Sequence, residues 1–102
     1  MDVTRVGDSL RIHAKEDITA TGVDALRKAV LNELKEGISE VCLDLADVEM
    51  IDSTGISLLI SIQNSLSSKG GRLKLDNTSD DITQMFKLMR LDRHFKVNPR
   101  EG

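Results

Sequence analysis

Apolar and polar residues alternate, or nearly so, along Val3-Thr4-Arg5-Val6 and Leu10-Arg11-Ile12-His13-Ala14, with Gly7-Asp8 between them. A period of two puts every second side chain on the same face. The segment therefore predicts a β-hairpin with one face buried. Lys15 to Ala20 is a polar loop, and Thr21-Gly22-Val23-Asp24 has the form of a capping box. Val23, Leu26, Val30 and Leu34 then recur at helical spacing, with Leu31 widening the stripe and Gly37 as the C-terminal stop. Val41-Cys42-Leu43-Asp44-Leu45 is a short apolar run and predicts a central strand covered on both faces. A second helix is predicted from Thr54 to Ser68, ended by Lys69-Gly70-Gly71. Arg72-Leu73-Lys74-Leu75-Asp76 alternates as a strand. Ser79 is an N-cap with Asp80 and Asp81 in the first turn, and Ile82, Met85, Phe86 and Met89 give a third helix. Phe95-Lys96-Val97 predicts a short last strand.

The order is ββαβαβαβ. Strands separated by helices imply parallel pairing through crossovers. A chain of 102 residues makes one domain, with a core over about residues 3–97 and a frayed tail at 98–102 around Pro99. Charged residues make up 30% of the chain. The net charge of −3 offers no basic field for nucleic acid, and Phe86 and Phe95 alone do not make a stacking platform for bases. The single cysteine, Cys42, cannot pair within the chain, which suits a reducing compartment. No apolar run reaches the length of a membrane span, and the N-terminus lacks the apolar core of a signal peptide. A cytoplasmic location is expected.

Against that background the second helix stands out. The sixteen residues from Ser53 to Ser68 contain no charged side chain. Ile56, Leu58, Leu59, Ile60, Ile62 and Leu66 form a wide apolar face suited to packing on the sheet. The opposite stripe is Ser57, Ser61, Asn64 and Ser68, which are poorer helix formers than the Lys, Glu or Arg usual on a solvated face. Two readings are open: the stripe docks a partner, because interface cores are depleted of charge, or it is covered within the fold. Just before it, Met50-Ile51-Asp52-Ser53-Thr54-Gly55-Ile56 sets a carboxylate, two hydroxyls and a glycine between strand and helix. Helix capping explains Asp, Ser and Thr there. The same helix mouth also favours an added anion such as a phosphoryl group.

Ile51-Asp52-Ser53-Thr54-Gly55-Ile56 resembles the D-S-[ST]-G-[LIV] signature of STAS domains, in particular the bacterial anti-sigma factor antagonists. The order and spacing of the other elements agree over about residues 3–97. The resemblance implies a single α/β domain with a central mixed sheet and helices packed mainly on one face. It implies no enzyme activity and no cofactor. It implies phosphorylation at Ser53 by a partner that is both serine kinase and anti-sigma factor, with a serine phosphatase as the opposing partner. The implied contact residues are Asp17, Thr19, Asp52, Ser53, Thr54 and Gly55, to which the docking reading of the uncharged stripe adds Ser57, Ser61 and Asn64. The family's G-E-[LIV]-D motif is altered here to Glu16-Asp17-Ile18-Thr19, so the identity of the partner does not carry over. A STAS scaffold or adaptor in a signalling or lipid-transport complex is the alternative. The chain stops soon after the last strand, so the C-terminal helix of longer members is not expected.

Other chemistry finds little footing in the sequence. An extra residue separates Asp52-Ser53-Thr54-Gly55 from an aspartic-protease D-[ST]-G, and that fold lacks three helices. His13 and His94 lie far apart with no metal-ligand spacing, and there is no G-x-S-x-G elbow. Asp44, Asp47, Glu49 and Asp52 form an acidic approach to the turn without a recognised ligand pattern. Cys42 is expected to be a small buried residue rather than a nucleophile.

Overall fold

A computed structural model describes residues 1–34 and 37–101. The predicted element order is found: β1 (Asp2–Val6), β2 (Ser9–His13), α1 (Val23–Leu34), β3 (Glu40–Asp44), α2 (Ser53–Ser67), β4 (Arg72–Thr78), α3 (Asp80–Leu88), a short 3-10 turn (Leu91–Arg93) and β5 (Lys96–Pro99). The five strands form one sheet in sequential order. β1 and β2 are antiparallel, and β2 to β5 are mutually parallel. The helices cover one face. Leu10, Ile12, Val41, Leu43, Leu73 and Leu75 point to that face and are essentially sealed from solvent, together with Leu59, Leu66 and Phe86 of the helices. Phe86 meets Phe95 edge-to-face with ring centroids 5.4 Å apart, a favoured aromatic geometry.

Local chemistry explains the element ends. Ser79 caps α3 by accepting from Ile82 N. The expected box at Thr21 and Asp24 does not set the start of α1. The carbonyl of Thr19 accepts from Gly22 N and Val23 N instead, and Asp24 pairs with Arg27 at 2.6 Å. Gly37 has φ +86°, which suits its expected role as a helix stop, although residues 35 and 36 lie outside the described ones.

Three further expectations need correction. β1 is exposed along its whole length, because it is the sheet edge and no helix packs over it, although Arg5 reaches Glu33 of α1 at 3.5 Å. The central strand β3 is not covered on both faces. Val41 and Leu43 are buried, but Glu40, Cys42 and Asp44 alternate with them on the open face and are half-buried. The tail is not frayed from residue 98. Asn98 and Pro99 extend β5, Arg100 N donates to Thr78 O at 2.9 Å, and the Arg100 guanidinium reaches Ala46 O at 2.6 Å. Proline is tolerated there because β5 is an edge strand.

Candidate functional site

The mouth of α2 is built by a loop that wraps around it. Asp52 is the N-cap, with extended backbone, and its carboxylate accepts from Gly55 N at 2.9 Å. Its second oxygen accepts from Ala20 N at 3.0 Å. Between them Ile18 pairs with Ile51 in a parallel bridge: Ile18 N donates to Met50 O and Asp52 N to Ile18 O. Asp17 closes the other end, accepting from Glu49 N at 2.8 Å and Met50 N at 3.2 Å. Two carboxylates thus stitch residues 17–20 to residues 49–52. The bonds from Gly55 and Ala20 hold the Asp52 carboxyl below the usual carboxylate range.

Gly55 is required by this packing. A methyl group added there would run into the Ile18 carbonyl and come within 2.9 Å of the Ile18 and Ile51 side chains. The glycine of the turn is therefore a close-approach residue, with an unremarkable backbone angle and a loop seated directly on it.

Ser53 is the first residue of α2 and is exposed. Its hydroxyl makes no hydrogen bond among the described residues, so it does not cap the helix. The cap is Asp52, whose carboxylate already takes the Gly55 N–H at the helix mouth. A group added to Ser53 Oγ would face solvent beside that carboxylate. Ser57, Ser61 and Asn64 continue from Ser53 along the exposed side of the helix, and so does Ser68 just past its end. The reading in which this stripe is covered within the fold is thereby excluded. Thr54 is half-buried and Gly55 fully buried. Asp17 lies at the rim with its carboxylate engaged, and Thr19 is half-buried with its carbonyl closing α1.

Alongside the stripe, a groove of about 160 Å³ runs between α1 and α2, floored by Leu34, Leu58 and Ile62 and rimmed by Ser57, Ser61 and Ser65 on one side and by Arg27 and Leu31 on the other. Sequence reasoning missed Ile18 and Ala20, whose bonds to residues 50–52 are formed across more than thirty positions. It also missed Gln63. This buried side chain accepts from Leu73 N at 2.8 Å and donates to Ser67 Oγ at 2.7 Å, fixing α2 to the start of β4. Cys42 sits half-buried on the open sheet face and donates to Asp76 at 3.0 Å. Burial first, then the Asp76 carboxylate, pushes its thiol up to about 12.

The sequence model of the family described as "Mlab, STAS domain" matches residues 1–98. A Thermotoga maritima protein provisionally named an anti-sigma factor antagonist is 29% identical over 93 residues, covering 90% of this chain and 82% of the relative. The crystal structure of the Thermotoga maritima antagonist superposes with a TM-score of 0.88 at 28% identity, over 95% of this chain and 84% of that one. The anti-sigma-B factor antagonist of Bacillus subtilis is 24% identical over 91 residues, 89% of this chain and 83% of the relative. The anti-sigma factor antagonist SpoIIAA in its unphosphorylated form shares the fold, with a TM-score of 0.72 at 16% identity over 90% of this chain and 94% of that one.

Proposed function

The chain belongs to the STAS domain family, and we propose that within it this protein is an anti-sigma factor antagonist switched by phosphorylation of Ser53. The observation that carries the proposal is the free Ser53 hydroxyl at the head of an exposed, uncharged stripe. Relatives named anti-sigma factor antagonists support the partner class. In this reading the unmodified stripe binds an anti-sigma factor that also acts as serine kinase, and a serine phosphatase resets it. The protein acts in the cytoplasm and performs no catalysis itself.

The switch works by local electrostatics. A phosphoryl group adds about −1.5 to −2 charges at neutral pH. Asp52 already takes the Gly55 N–H at the helix mouth, and the new charge sits beside that like charge. In a close interface it must also be desolvated. A loss of about 3 kcal/mol weakens binding by roughly two decades, with no rearrangement of the fold. Phosphopeptide mapping after incubation with the co-purified kinase tests the site: phosphate on Ser53 supports the reading, and phosphate on Thr54 or on neither residue defeats it.

A second reading has its own support. The matching family description reads "Mlab, STAS domain", and the loop that clamps the site departs from the antagonists' G-E-[LIV]-D pattern at Glu16 and Thr19. Under it the same stripe serves a scaffold or adaptor in a signalling or lipid-transport assembly. Co-purification separates the two: a kinase-like ATPase supports the switch, and an assembly without one supports the adaptor.

A further inference from the structure

We propose that the end of the sheet opposite Ser53 is a docking surface for an anionic lipid bilayer. The topology sets the two ends apart. Strands β2 to β5 run the same way. The chain leaves β3 to start α2, so Ser53 lies at the C-terminal edge of the sheet. The return of α3 places its own C-terminus, the Leu91–Arg93 turn and the start of β5 at the other edge.

The ten residues from Lys87 to Lys96 carry Lys87, Arg90, Arg93 and Lys96 against one acid, Asp92. That is +3 in a chain of net −3, which leaves −6 on the rest. All four cations are exposed, and none forms an ion pair among the described residues. Elsewhere Arg5, Arg11, Lys15, Arg27 and Lys74 each meet a carboxylate, Lys69 and Arg100 donate to backbone carbonyls, and Lys28 and Arg72 have no ion pair among the described residues but stand apart from any such cluster. Between the cations stand the most exposed leucine of the chain, Leu88 at 81%, and Met89 at 50%. Arg90 has φ +59°, the left-handed turn that ends α3 and folds the segment back on itself.

Cations at a helix C-terminus offset its dipole, which accounts for Lys87 and Arg90. It does not account for Arg93 and Lys96 beyond the helix, nor for the exposed apolar pair. Protein interfaces place apolar side chains in a charge-depleted centre. Here two apolar side chains stand among cations. That is the arrangement of an interfacial membrane contact, with cations at the headgroups and apolar groups at the acyl boundary. The −6 on the remainder is repelled by an anionic surface, which favours approach by the basic segment. Ser53 then stays open at the far end, and the inference holds whichever partner reads Ser53.

The test is co-sedimentation of the full chain with vesicles of phosphatidylcholine alone and with phosphatidylglycerol added. Binding is expected only to the anionic vesicles, and it falls as salt is raised. Each cation near the surface contributes about fivefold in partition. The double variant Arg90→Glu, Arg93→Glu should therefore lose at least about a hundredfold. Leu88→Ser with Met89→Ser should lose roughly tenfold while keeping the salt dependence. These side chains are exposed, so circular dichroism should show all variants folded. Equal binding to neutral vesicles, no binding to either kind, or an unaffected charge-reversed double variant would each overturn the proposal. Binding to polyglutamate without binding to anionic vesicles would overturn it too, and would reassign the patch to an acidic polypeptide.

Discussion

The open face of the sheet and the outer stripe of α2 are both polar and both reach solvent, but their polarity is organised differently. On the sheet, charges answer one another. Lys74 meets Glu40 at 2.8 Å and Arg11 lies 3.6 Å from Asp76, while the His13 imidazole hydrogen-bonds Asp47 at 2.8 Å. Burial pushes the Asp76 carboxyl up, but hydrogen bonds from Cys42 and Asn98 and the charge of Arg11 outweigh it and hold it below the ordinary range. The α2 stripe has no such ladder. Ser53, Ser57, Ser61 and Asn64 are exposed and uncharged, and across the groove from Ser57 and Ser61 lie the half-exposed Leu31 and Arg27, whose charge is met by Asp24 on its own helix. A surface that satisfies itself is built for water, whereas one that leaves out charge is suited to a partner that must strip its water away.

The largest effect is expected at the hinge between the two regions. Gly55→Ala forces a methyl group against the Ile18 backbone, and overpacking of this kind costs roughly 3 kcal/mol. Thermal unfolding measures it, and a change below about 0.5 kcal/mol, the size of an ordinary surface substitution, would show that the 17–20 loop is not seated as described. The comparison itself is broken or sharpened by moving charge between the faces. Ser61→Lys should weaken partner binding about tenfold, the equivalent of about 1.4 kcal/mol, while leaving the melting temperature nearly unchanged. Lys74→Ser, which removes charge from the sheet, should leave partner affinity alone. If the two variants behave alike in a binding titration, the distinction between the surfaces fails.

Smaller effects follow from the titrating groups. The Asp52 carboxyl is lowered in the folded state, so its contribution to stability is full above the unfolded value of about 3.9. That contribution is lost as pH falls through the lower folded value. Asp52→Asn should flatten that acid limb of the stability profile, as read by denaturant unfolding at successive pH values. An unchanged limb would remove Asp52 from the clamp. Cys42, with its thiol raised to about 12, should react with a thiol reagent near pH 8 much more slowly in the native protein than in the denatured one. Equal rates would mean that Asp76 and burial do not protect it.

Much of this fold was legible because period two and period three-to-four patterns are local. The run Ile82, Met85, Phe86, Met89 and the cap at Ser79 placed α3 without any tertiary knowledge. Cys42 was misread for a related reason. Counted as apolar, it hid the alternation of Glu40, Cys42 and Asp44 against Val41, Leu43 and Leu45, which marks one open face. The clamp was illegible in kind. Asp17 binds Glu49 and Met50, and Ala20 binds Asp52, across gaps that no local pattern encodes. The signature glycine was visible, but its cause, the Ile18 carbonyl lying over it, was not. The sequence marked Ser53 as a candidate, while the Asp52 bonds that leave its hydroxyl without a capping role were not legible. Because Asp52 caps the helix, Ser53→Ala should change stability by less than about 0.5 kcal/mol, and the serine is free for another role.

The most direct measurement is a titration of the co-purifying partner with unmodified protein, with protein phosphorylated at Ser53 and with Ser53→Asp. Phosphorylation should weaken binding by about a hundredfold, a loss of about 3 kcal/mol. Ser53→Asp, with a single charge, should weaken it by about tenfold, with circular dichroism unchanged in both. Equal affinity of the phosphorylated and unmodified proteins would contradict the account.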